Sequence, residues 1–242
     1  IVMSKYSTIW DTKSSQPISE NDNNPWAKIS QWLTNGQSVL DVGCSSGYFG
    51  DRLIKDRGAK VWGIEIDEED AKKAVKRGYQ KVWTGDLDSF DWSKIGGVKF
   101  DAIIFADVLE HIKDPTTALK NASSKLSKDG HIYCSIPNIA NLSVRVELLE
   151  GNFDYEPTGL LDNTHIRFFT LKSIYQTFSK AGLAITDVDH TTNELSKTQI
   201  VKRLAKLGLN ASDRFDELLN STESRTFQYI VRSKPTTKPI IP

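Results

Sequence analysis

The chain has 242 residues, with 31 basic and 31 acidic side chains, two cysteines and 38% hydrophobic residues. This length favours one domain with a core large enough to fold without disulfides or a structural metal. A formal charge of zero argues against a general nucleic-acid binder, which would carry a basic excess. No apolar run reaches the roughly 20 residues of a membrane-spanning helix, and no basic-then-apolar signal precedes the domain. We therefore expect a soluble, cytoplasmic protein without stable membrane insertion.

Short β-branched runs alternate with helical patterns from residue 36 onward, which is typical of a parallel sheet covered by helices. Caps, glycines and the spacing of apolar residues set the boundaries of each element. In chain order they predict a helix at 25–33, a strand at 38–42, a helix at 48–56, a strand at 60–66, a helix at 68–77, strands at 81–84 and 100–106, a helix at 115–129, a strand at 131–136, a helix at 171–181, a strand at 183–189, a helix at 197–207 and a strand at 227–232.

Three segments interrupt or flank this alternation. Residues 139–169 form a crossover much longer than the usual loop of 2 to 6 residues, and long loops in compact domains usually carry function. We therefore interpret 139–169 as a substrate cap inside a domain at 25–233. Residues 1–24 are interpreted as an N-terminal segment and possible lid, and 234–242 as a flexible tail. The helix at 197–207 is basic and amphipathic, which indicates a covering helix, with membrane or partner docking as the alternative.

The turn after the first strand is the expected ligand site, because ligands of open α/β sheets bind at the carboxyl ends of the strands. Gly43 and Gly47 allow a tight turn and close approach of the backbone to a ligand. A dinucleotide fingerprint would require glycines where this chain has Ser45 and Tyr48. A nicotinamide-dependent oxidoreductase is therefore disfavoured, although it stays open as an alternative together with a non-catalytic binding module.

Asp41, Gly43 and Gly47 resemble the first motif of the class I S-adenosylmethionine-dependent methyltransferases, in which an acidic residue precedes alternate glycines. Ser45 stands in place of the middle glycine. The segment FDAIIFADVLEHIKDP, residues 100–115, resembles the strand-four motif of the same family. The resemblance covers residues 39–136. It implies an α/β fold, a Rossmann-like three-layer α/β/α sandwich with a seven-stranded, mostly parallel sheet and an antiparallel last strand.

The resemblance also implies the cofactor and its contacts. S-adenosyl-L-methionine is the implied methyl donor, and S-adenosyl-L-homocysteine the product. Glu65, at the end of the second strand, is expected to bind the ribose hydroxyls, as a carboxylate at that place can. Asp67 beside it is interpreted as a helix cap. The implied cofactor-binding residues are Asp41, Gly43, Cys44, Gly47, Glu65, Ile66, Asp86, Leu87, Ala106 and Asp107.

The segment GLLDNTHIRFFT, residues 159–170, is similar to a signature of a methyltransferase subgroup often associated with glycosyltransferases and polysaccharide biosynthesis. A sugar hydroxyl that accepts a methyl group sheds a proton, and histidine is the commonest base. His165 and His111 are the two candidates for the catalytic base, each with a structural role as the alternative. Glu110, Asp162 and Arg167 are predicted to bind the acceptor.

The predicted reaction is O-methylation of a sugar hydroxyl on a small molecule or glycan. Methylation of nitrogen or carbon on an amino sugar, quinone or natural product is the alternative. We predict no metal, because Asp107, Asp154 and Asp162 show no ligand spacing. A monomer or homodimer without a nucleic-acid partner is expected. One aromatic group is predicted either to line the acceptor pocket or lid or to pack in the core: Tyr6, Trp10, Phe153, Tyr155, Phe168 and Phe169.

Overall fold

The computed structural model describes residues 23–194, 196–210, 212 and 214–237. Its strands are β1 Ser38–Val42, β2 Lys60–Glu65, β3 Lys81–Thr84, β4 Phe100–Ala106, β5 Leu126–Pro137, β6 Leu183–Thr192 and β7 Thr226–Pro235. Its α-helices are α1 Pro25–Trp32, α2 Tyr48–Arg57, α3 Glu68–Lys76, α4 Pro115–Ser123, α5 Leu142–Leu149, α6 Leu171–Lys180, α7 Lys197–Lys206, α8 Phe215–Asn220 and α9 Thr222–Arg225, and short 3₁₀ helices span Trp92–Ile95 and Leu109–His111.

The strands form one seven-stranded sheet in the order β3-β2-β1-β4-β5-β7-β6. The last strand, β7, pairs antiparallel with β5 and β6, and the other pairings are parallel. This confirms the predicted Rossmann-like sandwich. The strand order reverses between β1 and β4, and in such sheets this reversal opens a crevice at the carboxyl ends of the two strands.

Both faces of the central strands are covered. Leu40, Ile103 and Phe105 belong to one buried cluster, which also contains residues of α4 and α6. Val39 and Ile104 belong to the cluster on the other face, with residues of α1 and α2. Covering both faces explains why β4 is a nearly continuous apolar run.

Four helices begin with a capping side chain. Asp67 caps α3 as predicted, and Asn24, Asp114 and Thr170 cap α1, α4 and α6: each side chain accepts a hydrogen bond from a backbone N–H in the first turn. These bonds satisfy donors that have no partner inside the helix. The caps therefore fix where α1, α3, α4 and α6 begin.

Several element boundaries differ from prediction, most of all between α4 and β5. Helix α4 ends at Ser123, and β5 begins at Leu126, where helical spacing had predicted more helix. Strand pairing decides this: Leu126 pairs with Phe100, and a register shift follows before the regular ladder with β4. At the other end of the chain, β7 reaches Pro235 by pairing with Leu183. Residues 234 and 235 therefore belong to the sheet and not to the predicted tail, while 238–242 and the predicted lid residues 1–22 lie outside the described residues.

The crossover contains helix α5, which the periodicity did not predict. Its Leu142 and Val146 pack with Ile200 of α7 and with Phe215 and Leu219 of α8. The basic helix α7 thus covers α5, as the simpler interpretation expected. Among the described residues, none of the helices is both long enough and apolar enough to span a membrane.

Arg203 of α7 reinforces this packing. Its guanidinium group donates hydrogen bonds of 2.6 to 2.8 Å to Glu147 and Glu150. Two acidic partners raise the pKa of this guanidinium, so it keeps its charge. Helix α5 of the crossover is therefore joined to the segment between β6 and β7 in two ways: by apolar packing against α7 and α8, and by the ion pairs of Arg203.

Candidate active site

The turn after β1 has left-handed backbone at alternate residues. The φ angles are +70° at Gly43, +48° at Ser45 and +85° at Gly47. A Cβ on Gly43 would lie 2.8 Å from Cγ2 of Val108, which is closer than carbon atoms pack. Ser45, which replaces the middle glycine of the family motif, keeps the left-handed conformation that favours glycine.

Asp41 precedes this turn and is buried. Its Oδ2 accepts a hydrogen bond of 2.6 Å from the hydroxyl of Tyr79, and that hydroxyl accepts one of 3.1 Å from the N–H of Gly50. Burial raises the pKa of Asp41 to about 7, although the Tyr79 hydrogen bond opposes the shift. The carboxyl group of Asp41 is thus held by Tyr79, a residue of the loop before β3 that no sequence motif indicated.

Glu65, at the end of β2, holds two loops together. Its Oε2 accepts a hydrogen bond of 2.7 Å from the N–H of Ser45. Its Oε1 accepts hydrogen bonds from the N–H groups of Ile66 and Asp67, at 2.8 and 3.0 Å. Burial raises the pKa of this carboxyl, while the three N–H groups lower it.

Three other residues that the resemblance implies in cofactor binding lie next to Glu65: Ile66, Asp86 and Leu87. Ile66 exposes 47% of its surface, which is unusual for an isoleucine, and Asp86 is also exposed. The N–H of Gly85 donates to the carbonyl of Glu65 at 2.9 Å, which places Asp86 and the half-buried Leu87 just beyond the end of β2. The structure thus brings these four predicted residues into one region.

Asp107 follows β4 in a left-handed conformation, with φ at +57°. Its backbone N–H donates to the hydroxyl of Ser135 at 3.0 Å. Its Oδ1 accepts hydrogen bonds from that hydroxyl at 2.8 Å and from the side-chain amide of Gln228 at 2.6 Å. Burial raises the pKa of Asp107 to about 6. Ser135 of β5 and Gln228 of β7 therefore hold the side chain of Asp107 in place. Its left-handed backbone is strained, and strained backbone is typical of functional positions.

The side chains of Glu110 and His165 lie next to each other, although 55 residues separate them in sequence. Glu110 is only 1% exposed, and Nε2 of His165 lies 3.9 Å from its Oε1. Burial and the charge of Asp107 raise the pKa of Glu110 well above its usual range. Burial lowers the pKa of His165, so the imidazole is neutral at pH 7.

His111 stands against His165, with ring centroids 4.9 Å apart. Its Nδ1 lies 3.1 Å from the carbonyl oxygen of Thr164, and burial lowers its pKa. Asp162 is buried and accepts hydrogen bonds from the N–H and the hydroxyl of Thr164, at 2.8 and 2.7 Å. The crossover is thus folded back onto the turn that carries Glu110 and His111.

Arg167 lies apart from this cluster. Its side chain donates to the carbonyl of Lys113 at 3.1 and 2.5 Å, and both groups are exposed. The backbone N–H groups of Ile166 and Arg167 donate to the carbonyl of Glu110. Arg167 therefore docks the crossover and does not line the cavity described next, which differs from its predicted role in acceptor binding.

One cavity of about 380 Å³ connects the ends of β1 and β4 with the crossover. Of the predicted site residues, those in its wall are Asp41, Gly43, Cys44, Ala106, Asp107, Glu110, His111, Asp162 and His165. Aromatic and other apolar residues form much of the rest, among them Trp26, Tyr48, Phe49, Leu160 and Phe227. The predicted residues Gly47, Glu65, Ile66, Asp86, Leu87 and Arg167 lie outside this wall.

The aromatic group was predicted either to line the acceptor pocket or lid or to pack in the core, and its four described rings pack against other residues. Phe153 packs edge-to-face against Tyr155 and Phe168, with centroids 5.6 Å apart in each pair. Phe169 is buried in the sheet core. None of these four rings lines the cavity, and Tyr6 and Trp10 lie outside the described residues.

A family model described as a methyltransferase domain matches residues 23–188. The chain belongs to this methyltransferase family. A curated relative, the ubiquinone biosynthesis O-methyltransferase of Coxiella burnetii, is 27% identical over 166 residues, which are 66% of this chain and 69% of that protein. The protein of the same description from Haemophilus ducreyi is 32% identical over 111 residues, 43% of this chain and 46% of that one.

Solved structures share the fold of this methyltransferase. An S-adenosylmethionine-dependent methyltransferase from Archaeoglobus fulgidus superposes with a TM-score of 0.62 at 18% identity, covering 95% of this chain and 99% of that one. Magnesium protoporphyrin IX methyltransferase from Synechocystis, with bound S-adenosylhomocysteine, has a TM-score of 0.56 at 18% identity, covering 87% and 82%. The family and the fold together identify an enzyme that uses S-adenosylmethionine.

The residues of this methyltransferase fit that cofactor. The hydroxyl of Ser46 is buried in the cavity wall without a hydrogen-bond partner among the described residues, and so can bind a polar group of a ligand. Asp41 and Asp107 offer carboxylates to an ammonium group. When bound, the cofactor supplies a methyl group that its sulfonium already activates.

Proposed function

We propose that this methyltransferase transfers the methyl group to a hydroxyl oxygen on a ring, with phenols as the first acceptor class. The observation that carries the proposal is that one cavity joins Asp41, near the end of β1, and Asp107, after β4, to the cluster of Glu110, His111 and His165. Its apolar and aromatic wall favours a flat ring over a charged chain. The curated relatives are named for O-methylation in quinone biosynthesis, which supports the same class.

The proposed donor side divides at the strand ends. Glu65 and Asp86 bind the polar groups of the nucleoside, with Ile66 and Leu87 against the base. Asp41 and Asp107 face the methionine end, with Gly43, Cys44, Gly47 and Ala106 allowing close approach. This division follows the geometry: the second set, apart from Gly47, lines the cavity, and the first lies at the neighbouring strand ends.

His165 is the proposed base. A carbonyl oxygen can only accept a hydrogen bond, so the contact of 3.3 Å between Nδ1 and the carbonyl of Leu160 places the ring hydrogen on Nδ1. Nε2 then has a lone pair directed toward Glu110. Because its pKa is lowered, the ring is neutral at pH 7, and Nε2 takes the hydroxyl proton as the oxygen becomes methylated. His111 is the second candidate, and Glu110 and Asp162 orient the acceptor.

A sugar hydroxyl is the second acceptor class. The segment 159–170 resembles a signature associated with polysaccharide biosynthesis, and it supplies Asp162 and His165 to the cavity wall. Buried carboxylates next to a base suit a ligand with several hydroxyl groups. In either case residues 25–233 are proposed as the catalytic domain, 139–169 as the acceptor cap and 1–24 as a lid.

Radiolabelled methyl donor, offered with a panel of hydroxybenzoates, catechols and nucleotide sugars, tests the proposal. We expect transfer to oxygen of one class, and a loss of kcat of roughly a hundredfold or more in His165→Gln. His131→Gln removes a histidine outside the cavity wall and should leave kcat unchanged. Transfer only to nitrogen or carbon would overturn the proposal. Full turnover in both His165→Gln and His111→Gln would overturn the assignment of the base.

A further inference from the structure

The polar cluster beside the acceptor cavity contains the ligand types of a metal site. One carboxylate oxygen of Glu110 and one ring nitrogen each of His111 and His165 lie within 4.8 Å of one another. All three residues line the cavity. Two imidazoles and one carboxylate suit divalent transition-metal ions such as Zn²⁺ and Co²⁺.

The carboxylate of Glu110 is the second observation. It is buried, and neither oxygen receives a hydrogen bond from the described residues. A buried carboxyl group without a hydrogen-bond partner is costly in either protonation state, and a native protein usually compensates it with hydrogen bonds or a cation. A cation between Glu110 and the two histidines would provide that compensation.

The histidines are oriented as metal ligands commonly are. Nδ1 of His165 faces the carbonyl of Leu160 at 3.3 Å, and Nδ1 of His111 faces the carbonyl of Thr164 at 3.1 Å. Backbone carbonyls that accept from one ring nitrogen fix the tautomer and direct the other nitrogen to a metal. For His165 the other nitrogen, Nε2, points to Glu110.

The surroundings favour a positive ion. Asp107 and Asp162 line the same cavity as Glu110, His111 and His165. A divalent cation would reduce the repulsion among three carboxylates in a buried place.

We propose that Glu110, His111 and His165 bind one divalent transition-metal ion beside the acceptor cavity. Ligand atoms at about 2.1 Å from one ion lie roughly 3 to 4 Å apart, so small side-chain rotations close the site. The role of the ion rests on the proposed function: it holds the acceptor hydroxyl and lowers its pKa. With the ion bound, both histidines would act as ligands, and Nε2 of His165 would no longer be free to accept the proton. The hydroxyl would release its proton to solvent water instead.

This proposal revises the expectation of no metal. That expectation concerned a carboxylate cluster of Asp107, Asp154 and Asp162, and Asp154 is exposed in the structure. Two of the ligands proposed here are histidines. One of them comes from the crossover, 54 residues after the other. Only the folding of the crossover onto the turn after β4 brings them together.

The test uses untagged protein, stripped with a chelator, and Co²⁺ or Zn²⁺ alone. We expect one Co²⁺ per chain by elemental analysis, with d–d absorption bands of a site that contains imidazole ligands, and a rise in Tm with Zn²⁺. Calorimetry should show Zn²⁺ affinity at least tenfold weaker in Glu110→Gln and in His165→Gln. His131→Gln is the matched control and should bind as the wild type does.

Two results would overturn the metal site. One is the absence of stoichiometric binding to wild-type protein that is folded by circular dichroism. The other is unchanged affinity in both Glu110→Gln and His165→Gln. Because these measurements need neither donor nor acceptor, they separate the two proposals. Methyl transfer that persists in metal-free protein refutes the role of the ion and leaves the proposed function standing. Metal binding by a protein that transfers no methyl group to any hydroxyl refutes the proposed function and leaves the metal site standing.

Discussion

The hydroxyl of Tyr79 donates a 2.6 Å hydrogen bond to Oδ2 of Asp41, across 38 residues of sequence. Gly50 N–H donates to the same hydroxyl, and a Cβ on Gly50 would lie 2.1 Å from it. Position 50 is therefore restricted to glycine by the ring of Tyr79. The carboxylate of Asp41, which is proposed to belong to the cofactor site, is thus linked through Tyr79 of the loop before β3 to the start of helix α2.

Tyr79→Phe should destabilise the protein by about 1 to 3 kcal/mol, because a buried carboxylate and a buried N–H both lose a partner. Urea denaturation measures this difference. Tyr175→Phe is the matched control, because it removes a tyrosine hydroxyl from α6, on the opposite face of the sheet. Equal effects in the two variants would contradict the role assigned to the Tyr79 hydroxyl.

Asp41→Asn should change how stability depends on pH. Between the unfolded pKa near 3.9 and the folded value of about 7, the folded wild type holds a proton that the unfolded chain has released. Raising the pH through this window therefore destabilises the wild type, by up to about 1.4 kcal/mol per pH unit. Asparagine does not titrate, so the stability of the variant relative to the wild type should rise from pH 5 to pH 8 in urea denaturation. A difference independent of pH would show that the pKa of Asp41 is not raised.

Gly43→Ala and Gly58→Ala separate backbone strain from steric contact. Both glycines are left-handed, with φ at +70° and +62°, but a Cβ on Gly58 meets nothing within 4 Å. Gly58→Ala should cost roughly 1 to 2 kcal/mol of unfolding free energy from strain alone. Gly43→Ala should cost more, because its Cβ meets Val108, and should also weaken binding of S-adenosylhomocysteine. If the two variants are equally stable, the contact with Val108 is unimportant.

Glu65→Gln should weaken binding of S-adenosylhomocysteine at least tenfold, equivalent to about 1.4 kcal/mol. The carboxylate accepts three backbone N–H groups on its two oxygens, and an amide nitrogen cannot accept. Calorimetry measures the affinity, and Glu69→Gln, an exposed change on α3, is the control. Wild-type affinity in Glu65→Gln would remove Glu65 from the cofactor site.

The residues of the proposed donor half could be selected from the sequence because the patterns that point to them are local. Asp41, Gly43 and Gly47 lie within seven consecutive residues, and Glu65 ends a strand whose place in a parallel sheet follows from the alternation of elements. Even the exception is local: Ser45 keeps the left-handed φ of the glycine it replaces.

Contacts that join distant segments were less predictable, on the donor side as well as on the acceptor side. Gln228 reaches Asp107 only because β7 inserts between β5 and β6. Periodicity indicates which side of a strand is buried, but it does not say which strands are neighbours. For the same reason His165 and Glu110 were found as separate candidates, while their contact was not.

The joining of α5 to α7 through Arg203 has a consequence for engineering. A crossover grafted from a relative with another acceptor would bring new partners for Ile200 and Phe215, and it would remove Glu147 and Glu150 from Arg203. Segments 138–170 and 193–226 should therefore be exchanged as a pair. Acceptor preference in such chimaeras is expected to be inherited from two matched pieces of chain, while the methyl-donor half stays unaltered.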